Sequence, residues 1–279
     1  MQIKTYRLKS ATQEVTICPI GDVQWAGNEE DIAYDLLEEH LELCLDSPTP
    51  LFLGMGDYGD FASPSTRRAL EDHVKYDTAR QVIADATKFL MDDLYRRLLK
   101  PTKGKWLGLT EGHHHHPATI GTLKDGTAVM QDSDVYLAKM LAAPWLEEMG
   151  IIKLVWPGGG VFRVMAFHGS GNSVFPWGPL IKLYRLMPHF HVDLLLQGHQ
   201  TKKAVGEVDR LEFPVESDEV NHMTIKMVGT GGWMKGYING RRTYVSQSGL
   251  GPVALGQPLV HLRPRIRKGR WDARMTVES

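Results

Sequence analysis

The stretch Leu51-Phe52-Leu53-Gly54-Met55-Gly56-Asp57-Tyr58-Gly59-Asp60 decides how this chain is read. A short apolar run breaks into two carboxylates set among glycines, the pattern of a buried strand emptying into a polar loop. The arrangement recurs on both sides of it. Upstream, Glu14-Val15-Thr16-Ile17-Cys18-Pro19-Ile20 ends at Gly21-Asp22-Val23-Gln24. Downstream, Trp106-Leu107-Gly108-Leu109 leads to Gly112-His113-His114, residues 161–167 lead to His168-Gly169, and residues 192–196 lead to Gly198-His199. Strand after strand therefore ends in Asp, Asp, His-His, His and His.

Between these runs the spacing is helical. Ala33, Leu36, Leu37, Leu41 and Cys44 share one face while Glu38, Glu39 and Glu42 face away, and Ser47-Pro48 stops the helix. Ser63-Pro64 reads as a cap and first position of a long charged helix or helix pair running to Lys100-Pro101, with Ile83, Leu90, Leu94 and Leu98 on its buried side. Ser133-Asp134 caps a helix to about Leu141, and residues 177–187 form a short one. The Gly158-Gly159-Gly160 run lacks the Gly-Lys-Ser/Thr of a phosphate loop and reads as a turn between strands. Past residue 201 the chain changes character, with strand-like segments at 215–228, 237–245 and 259–266. This order predicts an α/β fold of two packed mixed β-sheets flanked by helices, a four-layer αββα sandwich. With no repeat or linker, residues 1–279 read as a single domain with a helical insert at about 63–100.

A net charge of −1, with 42% apolar and 23% charged residues, is the balance of an ordinary folded chain with a sizeable core. It argues against disorder and against general steering toward nucleic acid. Arg263, Arg265, Arg267, Lys268, Arg270 and Arg274 make the C-terminus locally basic, read first as a solvated edge strand or tail and second as a phosphate-backbone contact. Cys18 and Cys44 fit no paired-cysteine zinc pattern and read as packing residues. The N-terminus lacks an apolar leader, and no apolar stretch nears the ~18 residues of a membrane span. The expectation is a soluble cytoplasmic protein with no membrane partner, its oligomeric state open.

Polar side chains at the ends of strongly apolar strands each need a partner, and a buried lone carboxylate is very costly. A shared divalent ion partners several at once. Carboxylate oxygen with imidazole nitrogen, and no thiolate, suits manganese, iron or zinc better than calcium or an iron–sulfur cluster. An Asp placed to bridge would make such a centre dinuclear.

The five motifs in order, from residue 21 to about 201, resemble the calcineurin-like metallophosphoesterase superfamily, whose pattern is Asp-x-His, Gly-Asp-x-x-Asp, Gly-Asn-His-Asp/Glu, His and Gly-His-x-His. The compact length is similar to that of uncapped members carried by phages and prophages. The resemblance implies that Asp57 bridges two metals, that Asp22 ligates the first, and that His168 and His199 ligate the second. His113 stands at the place of the metal-binding Asn, and His114 at that of the histidine that protonates the leaving group. Asp60 would orient its loop. Gln24, Thr201 and His113 depart from the pattern by replacing His, His and Asn. The first site thereby loses two imidazoles, with Gln24 supplying an amide oxygen, while the second becomes nitrogen-rich. The implied cofactors are two divalent ions, manganese first, with iron or zinc open at the nitrogen-rich site.

The resemblance implies in-line attack of a metal-bound hydroxide on phosphorus. The leading expectation is a phosphodiesterase, acting on DNA or a nucleotide. A phosphomonoesterase is the alternative enzyme, and a binding scaffold with a partly degenerate site, as one retromer subunit of the fold illustrates, is the alternative class. Left open are His115 and His116, Lys202 and Lys203 as phosphate contacts or turn residues, Trp233 or Tyr237 as cleft borders, and the insert as cover or lid.

Overall fold

The computed structural model describes the chain apart from Ala62, residues 74–75, Asn172, and residues 214–219 and 268–269. One mixed sheet runs in the order β1 (Gln2–Arg7), β7 (Met149–Val155), β8 (Val161–Phe167), β9 (Leu194–Gln197), β11 (Asn221–Thr230), β10 (Lys203–Glu212). The other runs β13 (Arg270–Glu278), β12 (Leu259–Arg267), β2 (Val15–Ile20), β3 (Pro50–Gly54), β4 (Trp106–Leu109). A separate hairpin joins β5 (Pro117–Thr122) to β6 (Ala128–Asp132).

The period-2 alternation of side chains sorts the apolar residues into layers. Ile17, Leu51, Leu53, Val164, Ala166, Leu194 and Leu196 belong to one buried cluster drawn from both sheets, the core between them. Their chain neighbours Cys18 and Phe52 belong to a second cluster, with Leu37, Leu41 and Cys44 of α1 (Tyr34–Asp46), Met91 and Leu94 of α3 (Asp77–Leu94) and Leu137 of α4 (Ser133–Met140). Met165, Phe167 and Leu195 turn the opposite way, toward Leu183 of α5 (Gly178–Leu186). Helices thus cover the outer face of each sheet, giving the α/β sandwich that the sequence predicts. Each fully buried aliphatic or Phe contributes roughly 1.5–3 kcal/mol. Central strands buried on both faces therefore hold the framework on which the polar loops sit.

The insert begins with α2 (Pro64–His73), where Ser63 Oγ accepts from Thr66 N at 3.2 Å as an N-cap. It continues through α3, a π-helical turn over Tyr95–Leu99 and a 3-10 turn over Lys100–Thr102. Leu94 and Leu98 are buried as expected, with Leu90 packed at the margin of the core.

Several expectations change. Leu36 lies 42% exposed, outside the buried face of α1, which His40 joins instead. Residues 237–245 form no strand but turns leading into α6 (Tyr244–Gln247). There Gly240 takes φ +74° and Thr243 Oγ1 accepts from Ser246 N at 3.1 Å, local bonds that compete with a sheet ladder. The strand expected at 215–228 begins at Asn221, its residues 215–219 lying outside the described part. Of the basic C-terminal residues, Arg263, Arg265 and Arg267 lie on β12 and Arg270 and Arg274 on the edge strand β13, Lys268 lying outside the described residues; Arg263 pairs with Glu14 at 3.4 Å. Cys18 and Cys44 are both buried and unbridged. Among the described residues no helix is long and apolar enough to cross a membrane.

Candidate metal centre

β2, β3 and β4 run parallel in one sheet, as do β8 and β9 in the other, so their carboxyl ends open on a common rim. The loop after β2 carries Asp22 and Gln24, that after β3 Asp57 and Asp60, and that after β4 the histidine run. His168 follows β8 and His199 follows β9. The first two loops stay paired beyond their strands: Asp22 N donates to Gly56 O at 2.8 Å, Gln24 N to Asp57 O at 3.0 Å and Trp25 N to Tyr58 O at 3.0 Å. The histidine loop is drawn in from α4, where Asp134 Oδ2 accepts from Gly112 N at 2.9 Å. Gly112 is dictated by space, since a Cβ there would lie 2.0 Å from Asp57 N.

Eight non-glycine residues among those described have positive φ, and five occupy motif positions: Asp22, Gln24, Asp57, His199 and Thr201. Each such backbone costs on the order of 1–3 kcal/mol and persists only where its surroundings enforce it, a concentration typical of functional sites.

The carboxylates are buried, Asp22 1% and Asp57 2% exposed. Asp57 Oδ1 accepts from the backbone N–H groups of His113 and His114, and Oδ2 from Gln24 Nε2 at 3.0 Å. Asp22 Oδ2 accepts from His199 N at 2.9 Å, while Oδ1 has no partner. His168 Nδ1 donates to Met55 O at 2.7 Å, which leaves Nε2 3.2 Å from Asp57 Oδ2 without an aligned hydrogen bond. This is how metal-binding histidines are held, one ring nitrogen fixed by a carbonyl and the other bare. The rings of His113, His168 and His199 meet edge to face at centroid distances of 4.6–5.1 Å.

Burial pushes the Asp22 carboxyl up to about 7, His168 opposing and Asp57 adding to the rise. Asp57 is buried too, but His168 and His114 hold it well below the ordinary carboxylate range. His168 is held up at about 9: burial works against its charge, and Asp57 and Asp22 outweigh burial. Burial and the charge of His168 push His199 down to about 4 and lower His113 as well. The buried anions thus lean on one imidazolium, beside two imidazoles kept neutral. A divalent cation suits this donor set, because it replaces the His168 proton and gives Asp22 Oδ1 and His168 Nε2 a partner. Among the described residues, two groups of ligand atoms, each lying within 4.8 Å of one another, could hold a metal ion: His113, His168 and His199, and Asp22, Asp57 and His168. His168 is common to both.

Gln24 is brought to the centre with its amide nitrogen donating to Asp57. His114 stands at the edge, its Nδ1 2.7 Å from Asp60 Oδ1, and that contact raises its pKa above the ordinary value. His115 turns away to Asp132 and Glu111, and His116 Nδ1 donates to Pro117 O at 3.0 Å, so both serve the base of the hairpin. Trp233 is fully buried against His40, a core residue rather than a cleft border. The sequence reading missed Arg67 of α2, whose guanidinium donates to the carbonyls of His113 and His115. Its only sequence signal is a cation in an insert that directly follows a metal motif.

No protein-family profile and no curated protein matches the chain in sequence. Solved structures that it is similar to include a single mutant of Vps29 from Entamoeba histolytica, at 13% identity and TM-score 0.37, covering 95% of this chain and 99% of that one. The wild-type Vps29 of the same organism complexed with zinc matches at 14% identity and TM-score 0.37, over 95% of this chain and 98% of that one. Vacuolar protein sorting 29 from Cryptosporidium parvum matches at 14% identity and TM-score 0.35, over 96% and 98% of the two chains. At such values the chemistry has to be argued from the site itself.

Proposed function

We propose that the chain is a metal-dependent phosphoesterase that cleaves phosphodiesters, nucleotides or DNA, at a centre of two divalent cations. The observation that carries this reading is a buried Asp and His donor set in which Asp22 Oδ1 and His168 Nε2 have no hydrogen-bond partner, with an imidazole–carboxylate pair at its edge. Asp22 and Asp57 would hold one ion and His113, His168 and His199 the other, His168 having only Nε2 to offer and so serving one ion. Manganese suits the carboxylate-rich side, and iron or zinc also suits the three imidazoles. When bound, such ions neutralise phosphate oxygens and lower the pKa of water from about 15.7 toward roughly 7.

The remaining work falls to side chains. Asp57, anchored by two backbone amides and Gln24, fixes the spacing between the histidine loop and the β2 loop. Asp60 accepts from His114 Nδ1, so a proton on Nε2 is oriented outward, toward an oxygen departing from phosphorus. A well-placed general acid of this kind contributes roughly 10²- to 10⁴-fold.

The test is hydrolysis of bis-nitrophenyl phosphate against nitrophenyl phosphate with manganese, using Asp57→Asn as control. Diester cleavage lost in the control supports the reading, and a dominant monoester rate replaces it with a phosphatase. One observation favours a second reading, a binding protein with a partly degenerate site: Gln24 meets Asp57 as a hydrogen-bond donor rather than supplying a ligand atom. No activity above control, with metal verified in the protein, would put that reading first.

A further inference from the structure

A cavity of about 570 Å³ opens where the chain continues from His199. Its inner wall is Gln200, Thr201, Lys202 and Lys203, the residues that link the metal loop to β10. Thr201 joins the two sites. A Cβ placed on Gly232 would lie 3.2 Å from Thr201 Cγ2 and 3.0 Å from Asp22 Cβ, so the cavity wall and a metal-site carboxylate pack against the same glycine. The compact threonine stands where the resembling pattern has a histidine. The departure that removes an imidazole donor therefore lies in the cavity wall itself, next to Asp22.

The chemistry of the lining is one-sided. Lys202, Lys203 and Lys235 contribute three ammonium groups, and among the described residues no acidic side chain lines the cavity. Lys202 Nζ donates to Ser173 O and is thereby fixed in place. The facing wall is aliphatic, with Val245, Leu250, Val253 and Leu255. Tyr237 stands at the same wall, 57% exposed, its hydroxyl donating to Leu250 O at 2.6 Å so that the ring is held in one orientation. A volume in the range of small-molecule sites, an apolar wall with a fixed aromatic ring, and cations without carboxylates select an anion that carries a sizeable apolar or planar body. Inorganic phosphate would leave the apolar wall empty. A cationic ligand would face three like charges.

We infer that this cavity is a nucleotide subsite: it receives the nucleoside of a phosphodiester whose phosphorus lies at the metal centre, with the base against the Tyr237 and Val253 wall and Lys203 and Lys235 facing the phosphate charge. The position of the phosphorus rests on the phosphodiesterase reading above. The binding of a nucleotide does not.

Calorimetric titration of the full chain with adenosine 5′-monophosphate and thymidine 5′-monophosphate, against inorganic phosphate, tests this directly. At least one nucleotide should bind wild type and Asp57→Asn at least tenfold more tightly than phosphate. Val253→Trp, which fills the cavity, should lower that affinity at least tenfold with an unchanged unfolding temperature. Lys203→Ala should weaken binding and flatten its salt dependence, and Lys203→Arg should restore both. Nucleotides binding no better than phosphate, or a folded Val253→Trp binding like wild type, would overturn the subsite. Diester hydrolysis measured in parallel separates the two claims. Hydrolysis without nucleotide binding removes the subsite and leaves the phosphodiesterase, whereas nucleotide binding without hydrolysis upholds the subsite and removes the phosphodiesterase.

Discussion

His114 Nδ1 lies 2.7 Å from Asp60 Oδ1, an imidazole from the loop after β4 oriented by a carboxylate from the loop after β3. The same two loops are tied through Asp57 Oδ1, which accepts from His114 N at 3.0 Å. The imidazole is therefore positioned at both its backbone and its side chain, on the edge of the buried cluster. If it donates a proton to the departing oxygen, its value depends on how badly that oxygen needs one. His114→Ala should slow hydrolysis of alkyl diesters by roughly 10²- to 10⁴-fold and of nitrophenyl diesters far less. Asp60→Asn should follow the same order with a smaller loss, since it disturbs orientation and leaves the acid in place. Rates across leaving groups of graded pKa check this, and equal losses at both ends of the series would remove the assignment.

Asp22 combines a buried carboxylate with an unpartnered Oδ1, so it should affect the metal-free and metal-bound protein in opposite directions. Leaving a buried polar atom unsatisfied costs about 1–3 kcal/mol, more for a charge. Asp22→Asn removes the charge while its Oδ1 can still accept from His199 N. Without metal, the variant should unfold at equal or higher temperature than wild type at pH 8. Manganese should stabilise wild type, by about 2.7 kcal/mol at a hundredfold excess over Kd, and the variant much less. Thermal unfolding with and without manganese after chelation measures both arms, and an equal metal shift in the two proteins would show that Asp22 is not a ligand.

The layered core and the site loops were legible because their strands are buried on both faces and read as unbroken apolar runs, with glycine and charge beginning where the sheet ends. Strands at the edges carry no such signal. In β1, Ile3 is 54% and Tyr6 38% exposed, and what holds the strand is its parallel pairing with β7, some 150 residues away. The β5–β6 hairpin did have a local signal, the Asp125-Gly126 turn with Gly126 at φ +88°, but its strands are mostly half-buried and lack clean alternation. At the site, the motifs named the residues and could not say which way a side chain turns. His115 and His116 adjoin His114 in sequence and face the hairpin, because Asp132 and the carbonyl of Pro117 are within reach there.

Asp134 holds the histidine loop through Gly112 N, and burial, with the charge of Asp132 adding to it, pushes its carboxyl from 3.8 up to about 7; His115 opposes the rise and Asp57 adds to it. The folded protein keeps this proton between those values while the unfolded chain releases it. Its contribution to stability is therefore fully present below pH 3.8, declines as pH rises through the window, and is lost above about 7. Asp134→Asn should make the decline shallower, leaving the share that Asp22 contributes over the same range, while its amide oxygen still accepts from Gly112. Asp134→Ala should instead destabilise at every pH, by roughly 1–3 kcal/mol, by leaving that N–H unpaired. Urea midpoints from pH 5 to 8 distinguish the three proteins, and a parallel decline in Asp134→Asn would assign the pH dependence elsewhere.

In the proposed centre Gln24 and Thr201 would make the two sides unequal, and the inequality can be reversed one residue at a time. In the structure the Gln24 amide donates to Asp57 Oδ2 at 3.0 Å, so it supports the carboxylate and offers the Asp22 side no nitrogen ligand. The three imidazoles on the other side would form the better site for a borderline metal. Protein purified without added metal should therefore retain close to one tightly held ion and a substoichiometric second. Gln24→His introduces an imidazole beside Asp22 and Asp57 and should raise retention of the second ion about tenfold or more, read as metal content after dialysis against a weak chelator. Thr201→His adds the other missing imidazole but narrows the wall of the adjoining cavity, so it should raise metal retention while weakening nucleotide binding. Both ions held equally in wild type, or Gln24→His leaving the second ion unchanged, would show that position 24 does not set the asymmetry.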